Sequence, residues 1–263
     1  MPIVPAGGDH RRVGLQTGHN DRLKLCKGAV SMQWQGEFAF GDVWLAFRGV
    51  SAENRFHAHA AVQFVAGASI SVADETGREF VGPGWAIRSG VRHCLRPAPA
   101  LMLVLADPQS RLAADLLAEL EPDPIAALPA ALVDELSEPL RIRDLMVRLQ
   151  QRLPGGATPL DPRLAAALRH LEQQTAGDTV AAASAASGLS PSRLRALSQA
   201  QFGVPFGKLV MWKKVRVACL AMARGANLVD ASLDAGFADQ AHLTRTMADV
   251  IGLTPGEARS AAS

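Results

Sequence analysis

Four side chains in the N-terminal half have the types and spacing to do chemistry together. His57-Ala58-His59 places two imidazoles on one face of a strand, because side chains alternate along an extended chain. Gln63, after three intervening residues, falls on the same face. A glycine-rich run, Gly82-Pro83-Gly84-Trp85-Ala86-Ile87-Arg88-Ser89-Gly90-Val91-Arg92, leads to a third imidazole at His93. Three neutral imidazoles can hold zinc or another borderline divalent metal. Gln63 would be a weak neutral ligand, and no carboxylate stands in an equivalent place, since Glu53 and Glu79 only flank the two stretches. No general acid or base stands near apart from the imidazoles. Three readings stay open: a divalent-metal site on His57, His59 and His93; a metal-free effector pocket of His57, His59, Gln63 and His93; or a vestigial pocket of ordinary polar core.

A β framework must position them. From Leu23 to about Ala106, short apolar runs (Val43–Phe47, Val62–Val65, Ile70–Val72, Trp85–Ile87, Leu101–Leu105) are separated by Gly, Pro and polar clusters, the pattern of an all-β sandwich or barrel. The chain has no tyrosine, so Trp34, Trp44, Phe47, Phe56, Phe64 and Trp85 supply much of the aromatic packing. Residues 57–63 and 82–93 resemble the two cupin motifs, H-x-H-x-x-x-E and G-x5-P-x-G-x-x-H, with Gln63 in place of Glu and Arg88 in place of Pro. The resemblance implies a small β-barrel over 23–106 in which the three histidines converge.

Beyond Asp107 the texture turns helical and acidic. Ala113, Leu116, Leu117 and Leu120 have helical spacing, Pro122-Asp123-Pro124 interrupts, and Leu132, Leu136, Leu140, Leu145 and Leu149 resume it. Residues 107–157 are expected to form a helical linker whose leucines make a dimer face. Pro154-Gly155-Gly156-Ala157 reads as a flexible connection, and residues 1–22 as a loose arm.

The C-terminal part, 158–263, carries one motif twice. Leu228 to Ala235 has apolar residues at helical spacing, Gly236-Phe237 breaks it, and Asp239 opens a second run through Leu243 and Met247. Helix, glycine turn, helix is the outline of a helix-turn-helix, with Asp239 as N-cap. Thr179 to Phe202 repeats it: Gly188-Leu189 matches Gly236-Phe237, Leu194 matches Leu243, and Gly203 matches Gly252. Phe206 to Ala223 reads as one helix joining the copies, and Leu160 to Gln174 as a leading helix with Asp161-Pro162 at its start. Two such units on one face of DNA could place a helix in each of two successive major grooves, about 34 Å apart.

These residues resemble the AraC/XylS family of transcription regulators: Gly188-Leu189-Ser190-Pro191-Ser192, then Lys214-Val215 with Ala218, Leu228, Ala231-Ser232, Gly236-Phe237, Leu243, Gly252 and Thr254-Pro255. The resemblance implies sequence-specific binding of double-stranded promoter DNA through both units, with RNA polymerase as a further partner. Met247 departs where the family usually has an aromatic residue, and Ala248-Asp249 where it often has bases.

Charge distribution agrees. Net charge is only +2, but no acid occurs from Thr179 to Val229, where Arg193, Arg195, Lys208, Lys213, Lys214, Arg216 and Arg224 stand. An unbroken basic stretch suits phosphate binding. The DNA-facing candidates are Ser190, Ser192, Arg193, Arg195, Lys213 and Lys214 in the first unit and linking helix, and Gln240, His242, Thr244 and Arg245 in the second. Cys26, Cys94 and Cys219 are far apart and suggest buried thiols in a reducing compartment. Without an apolar signal run or a stretch of transmembrane length, a cytoplasmic protein with no membrane partner is expected. The sequence thus describes an α+β chain: a cupin-like β-barrel, a helical linker and an all-α domain with two helix-turn-helix motifs. It reads as a regulator answering to a small-molecule effector of unknown identity. The alternatives are a metal-dependent cupin enzyme with a helical appendage and a structural nucleoid protein.

Overall fold

The computed structural model describes residues 33–152, 160–173 and 179–261. The arm at 1–22, the start of the β region, Cys26 and the Pro154–Ala157 connection lie outside the described residues. Among the described residues, seven strands form one antiparallel sheet: β1 (Gln35–Phe40), β2 (Trp44–Ser51), β3 (Val62–Asp74), β4 (Glu79–Ile87), β5 (His93–Leu95), β6 (Ala98–Ala106) and β7 (Ile125–Ala127). Their order is β1-β2-β6-β3-β4-β7, with β5 paired to β3. Val62–Val65 and Ile70–Val72, separate in the sequence reading, are one long strand with a register shift between Ala66 and Ile70. The last strand comes from inside the region expected to be helical. Arg88, at the position of the motif proline, secures that approach by donating to the carbonyls of Asp123 (3.1 Å) and Glu121 (3.0 Å).

The strands are buried on both faces, and their alternation sorts them. Leu45, Phe47, Val65, Ile70, Leu103 and Leu105 join one apolar cluster. Ala46, Val62, Phe64, Met102 and Val104 join another. Helices α1 (Arg111–Ala118), α2 (Ala130–Ser137) and α3 (Ile142–Arg152) cover the second face. Leu116, Leu132, Leu136, Leu145 and Leu149 are buried there, so the leucines read as a dimer seam are core of this chain. Helical periodicity identifies a buried stripe but not what buries it. From β2, Arg48 donates to the carbonyls of Leu136 (3.4 Å) and Leu140, satisfying groups at the end of α2.

The first face meets the C-terminal helices: α4 (Pro162–Gln173), α5 (Val180–Ser187), α6 (Pro191–Phe202), α7 (Phe206–Ala223), α8 (Leu228–Asp234), α9 (Gln240–Ile251) and α10 (Pro255–Ala261). Leu164, Leu194, Phe206, Leu209, Trp212, Leu243 and Met247 belong to the same apolar cluster as Phe47 and Leu105. Sheet and helices share one compact unit rather than two separately cored bodies. Among the described residues, no helix is long and apolar enough to cross a membrane.

Candidate effector site and DNA-binding helices

The histidines do converge, by a different route from strand alternation. Residues 52–61 form the connection from β2 to β3, and His57 pairs only through an isolated bridge to His93. The two exchange backbone hydrogen bonds of 3.0 Å each, and Gly90 N–H adds one of 2.8 Å to the His59 carbonyl. One ring nitrogen of each of His57, His59 and His93 lies within 4.8 Å of the others. All three rings and Gln63 are buried.

Each Nδ1 faces a carbonyl two residues away: His57 on Arg55 (2.8 Å), His59 on Ala61 (2.8 Å) and His93 on Val91 (3.0 Å). A carbonyl can only accept, so each Nδ1 carries the proton and each Nε2 keeps a lone pair. Burial holds all three imidazoles below their ordinary pKa, His57 down to about 3, so they are neutral. Gln63 Oε1 lies 3.3 Å from His59 Nε2 and 3.2 Å from His93 Nε2, an acceptor facing two acceptors. Such a contact repels unless a cation lies among them or the amide is turned to donate from its nitrogen. The first arrangement is a neutral donor set suited to a divalent ion: the Gln63 separations match the roughly 3.3 Å between ligand atoms about 2.0–2.1 Å from a tetrahedral metal, the three ring nitrogens lie within 4.8 Å of one another, and metal-binding histidines commonly donate their second nitrogen to a carbonyl.

Beside the cluster lies a cavity of about 150 Å³. The sheet supplies Phe38, Phe47, Leu103 and Leu105, and the C-terminal helices and the turns after them supply Cys219, Met222, Ile251 and Leu253. His57 and Gln63 reach its wall, whereas His59 and His93 do not line it. Two lining residues carry buried donors without a partner, Trp34 Nε1 and Gln63 Nε2. Leaving such a donor unmade costs about 1–3 kcal/mol. Burial raises the Cys219 thiol to about 12 and Cys94 to about 11, so both are un-ionised rather than reactive.

The helical side is built from two matching units. In the first, Gly188 ends α5 at φ 65°, and Ser190 caps α6 by accepting from Arg193 N–H, with Pro191 in the first turn. In the second, Gly236 has φ 72°, and Asp239 caps α9 by accepting from His242 N–H. Leu194 and Leu243, at equivalent places, are fully buried. Both second helices end on a left-handed glycine, Gly203 and Gly252.

Residues 183–261 match the family model described as a helix-turn-helix domain. The C-terminal part of this chain is an AraC-type helix-turn-helix domain. The architecture of the whole chain is similar to that of ToxT from Vibrio cholerae. An apo ToxT structure from strain SCE256 superposes with TM-score 0.56 at 12% identity, covering 84% of this chain and 98% of that one. ToxT from strain O395 gives 0.55 at 10%, covering 85% and 99%. Wild-type ToxT with an unsaturated fatty acid bound gives 0.54 at 11%, covering 83% and 95%. No curated protein matches the sequence. By its helix-turn-helix domain the chain is a DNA-binding transcription regulator.

Within the AraC-type domain the basic residues divide. Ser192, Arg193 and Arg195 are exposed on α6, and Gln240 and Arg245 on α9. Ser190 Oγ is taken up as the cap and lies 3.1 Å from Ser192 Oγ. Thr244 is half-buried, its hydroxyl donating back to the Gln240 carbonyl at 2.7 Å. His242 sits edge-on to Phe237, centroids 5.2 Å apart. Lys213 and Lys214 turn inward instead: Lys213 donates to the Leu171 carbonyl and Lys214 to the Gly236 carbonyl at 2.9 Å. Arg216 pairs with buried Asp107, which also accepts from Trp212 Nε1 at 2.7 Å. The sequence reading missed Asp107, Trp212 and Trp34 as site residues. The early signals were an acid ending an apolar strand run and Trp34 among the packing aromatics, while Trp212 stood unremarked within the joining helix Phe206–Ala223.

Proposed function

We propose that this regulator is controlled by a small effector bound between the sheet and the AraC-type domain. The effector has an apolar body and an end that accepts hydrogen bonds. The cavity is the observation that supports this: its walls come from both parts of the chain and hold two unpaired buried donors, Trp34 Nε1 and Gln63 Nε2. At about 150 Å³ it takes a group of benzene size or a short acyl chain. A carboxylate or carbonyl would satisfy the two donors while the body displaces water from apolar walls. ToxT, of the same fold, has been crystallised with an unsaturated fatty acid, a molecule of that general chemistry. An effector touching both walls has a differential affinity for domain arrangements, which is what regulation requires. Octanoate and phenylbutyrate are suitable probes. Each is expected to raise the melting temperature of the full chain, and Leu103→Trp, which fills the cavity from β6, is expected to abolish the rise. No rise with any apolar carboxylate, or a rise unchanged in Leu103→Trp, would count against this site.

A further inference from the structure

The two loops that carry the histidines each rest on a different helix-turn-helix unit. In the first loop, Arg55 and His57 lie against Gly252, the glycine that ends α9: a Cβ built there would stand 2.8 Å from His57 Nδ1 and 3.1 Å from the Arg55 carbonyl oxygen. In the second loop, Gly90 lies against the end of α6: a Cβ on Gly90 would stand 2.7 Å from Val204 Cγ1 and 3.4 Å from the Gly203 carbonyl oxygen. Between them, the His59 ring lies 5.9 Å from the Trp212 ring of α7, the helix that joins the units. The two loops that carry one buried cluster therefore touch the ends of both second helices, and the cluster itself faces the helix between them.

We propose that a divalent transition metal, held by His57, His59, His93 and Gln63 Oε1, sets how the two helix-turn-helix units are held relative to each other. This rests on the regulatory role proposed above, but adds a second input, distinct from the cavity. The donor set supports the ion: three imidazoles whose Nδ1 protons are spent on carbonyls, and one amide oxygen facing two of their lone pairs. His57 and His59 come from one loop and His93 from the other, so an ion bound by all of them ties the loops together. Close packing at both glycines, where no Cβ would fit, then carries the position of each loop to the helix end it rests on. His57 and Gln63 also line the effector cavity, so these two side chains are shared by both inputs.

The test uses the full chain, stripped with chelator and titrated with Co2+ and Zn2+. One Co2+ per chain is expected, with visible absorption bands of a nitrogen-rich low-coordinate site. Hydrogen exchange then reads the coupling: Zn2+ loading is expected to slow the amides at 203–204 and 252–253 together, by roughly 5–150-fold, the usual range for coupled sites. Gln63→Glu, which supplies a carboxylate, is expected to bind Co2+ more tightly and keep the exchange effect, which guards against a histidine variant that merely fails to fold. Absence of stoichiometric Co2+, or tight Co2+ binding with exchange at both helix ends unchanged, overturns the proposal. Anisotropy on DNA selected from a random pool runs in parallel. A chain that selects no sequence, with or without metal, refutes the regulator itself, whereas selection in both states with no metal-dependent exchange refutes only the metal coupling.

Discussion

Lys213 and Lys214 show how far charge alone can be read. Their place in an acid-free stretch suggests phosphate contacts, yet both ammonium groups are spent on backbone carbonyls, as Arg216 is on Asp107. A count of charges does not say which ones the fold consumes. Lys214→Ala should therefore lower stability, by about 1.5–3 kcal/mol for a charged hydrogen bond, with little change in the salt dependence of DNA binding. Arg195→Ala should do the reverse, leaving stability intact and reducing the salt slope by about 1. It should also cost more DNA affinity than Arg245→Ala, because from Asp230 onward Arg245 and Arg259 share the chain with Asp230, Asp234, Asp239, Asp249 and Glu257. Denaturant melts and anisotropy across a salt series check all three. The histidines give a pH expectation for chelator-stripped protein. Their folded-state pKa values are depressed by burial, His57 to about 3, so between about pH 6.5 and 3 the unfolded chain binds protons that the folded chain does not. Stability should be fully present above pH 6.5 and fall as pH falls through that window, and His57→Gln should flatten the fall.

Secondary elements were legible where local chemistry decides them. The cap Asp239, the turn glycines Gly188 and Gly236, and the joining helix Phe206–Ala223 stand where the sequence places them, because capping and left-handed glycines are short-range, whereas Ser190, read as DNA-facing, proves to be the α6 cap. Long-range pairing was not legible: β1 and β7 lack a strong apolar run, and the His57–His59 segment is a loop whose side chains are aimed by the bridge to His93. The leucines of α1–α3 had the right period and the wrong partner. Two glycines separate intrinsic from contextual cost. Gly188 has φ 65° and nothing within 4 Å of a Cβ, whereas Gly252 has φ 74° and meets His57 and the Arg55 carbonyl. Gly188→Ala should cost about 1–2 kcal/mol, the left-handed penalty. Gly252→Ala should cost clearly more, since backbone must shift as well, and thermal melts of the two variants compare them directly.

At the scale of the molecule, the AraC-type domain is held to the sheet by apolar packing and one buried polar unit. Asp107, at the end of β6, accepts from Trp212 and pairs with Arg216, both on α7. Burial raises the Asp107 carboxyl from its ordinary pKa, and the Arg216 guanidinium offsets that. Removing one partner of such a pair leaves a buried charge uncompensated, so Asp107→Ala should cost about 3–5 kcal/mol, while a double change to apolar residues of similar volume should cost much less. The flexible-connection reading at Pro154–Ala157 lies outside the described residues, but the shared core says that sheet and helices act on each other through contact rather than through a tether. That contact surface, with the cavity in it, is where we propose that regulation acts. The most direct test is the affinity of the full chain for a DNA selected from a random pool, measured by anisotropy with and without a saturating apolar carboxylate such as octanoate. The expected result is a specific complex whose affinity changes several-fold with the carboxylate, with the change lost in Leu103→Trp. A specific complex of identical affinity with every apolar carboxylate tried, or a response undiminished when the cavity is filled, would contradict it.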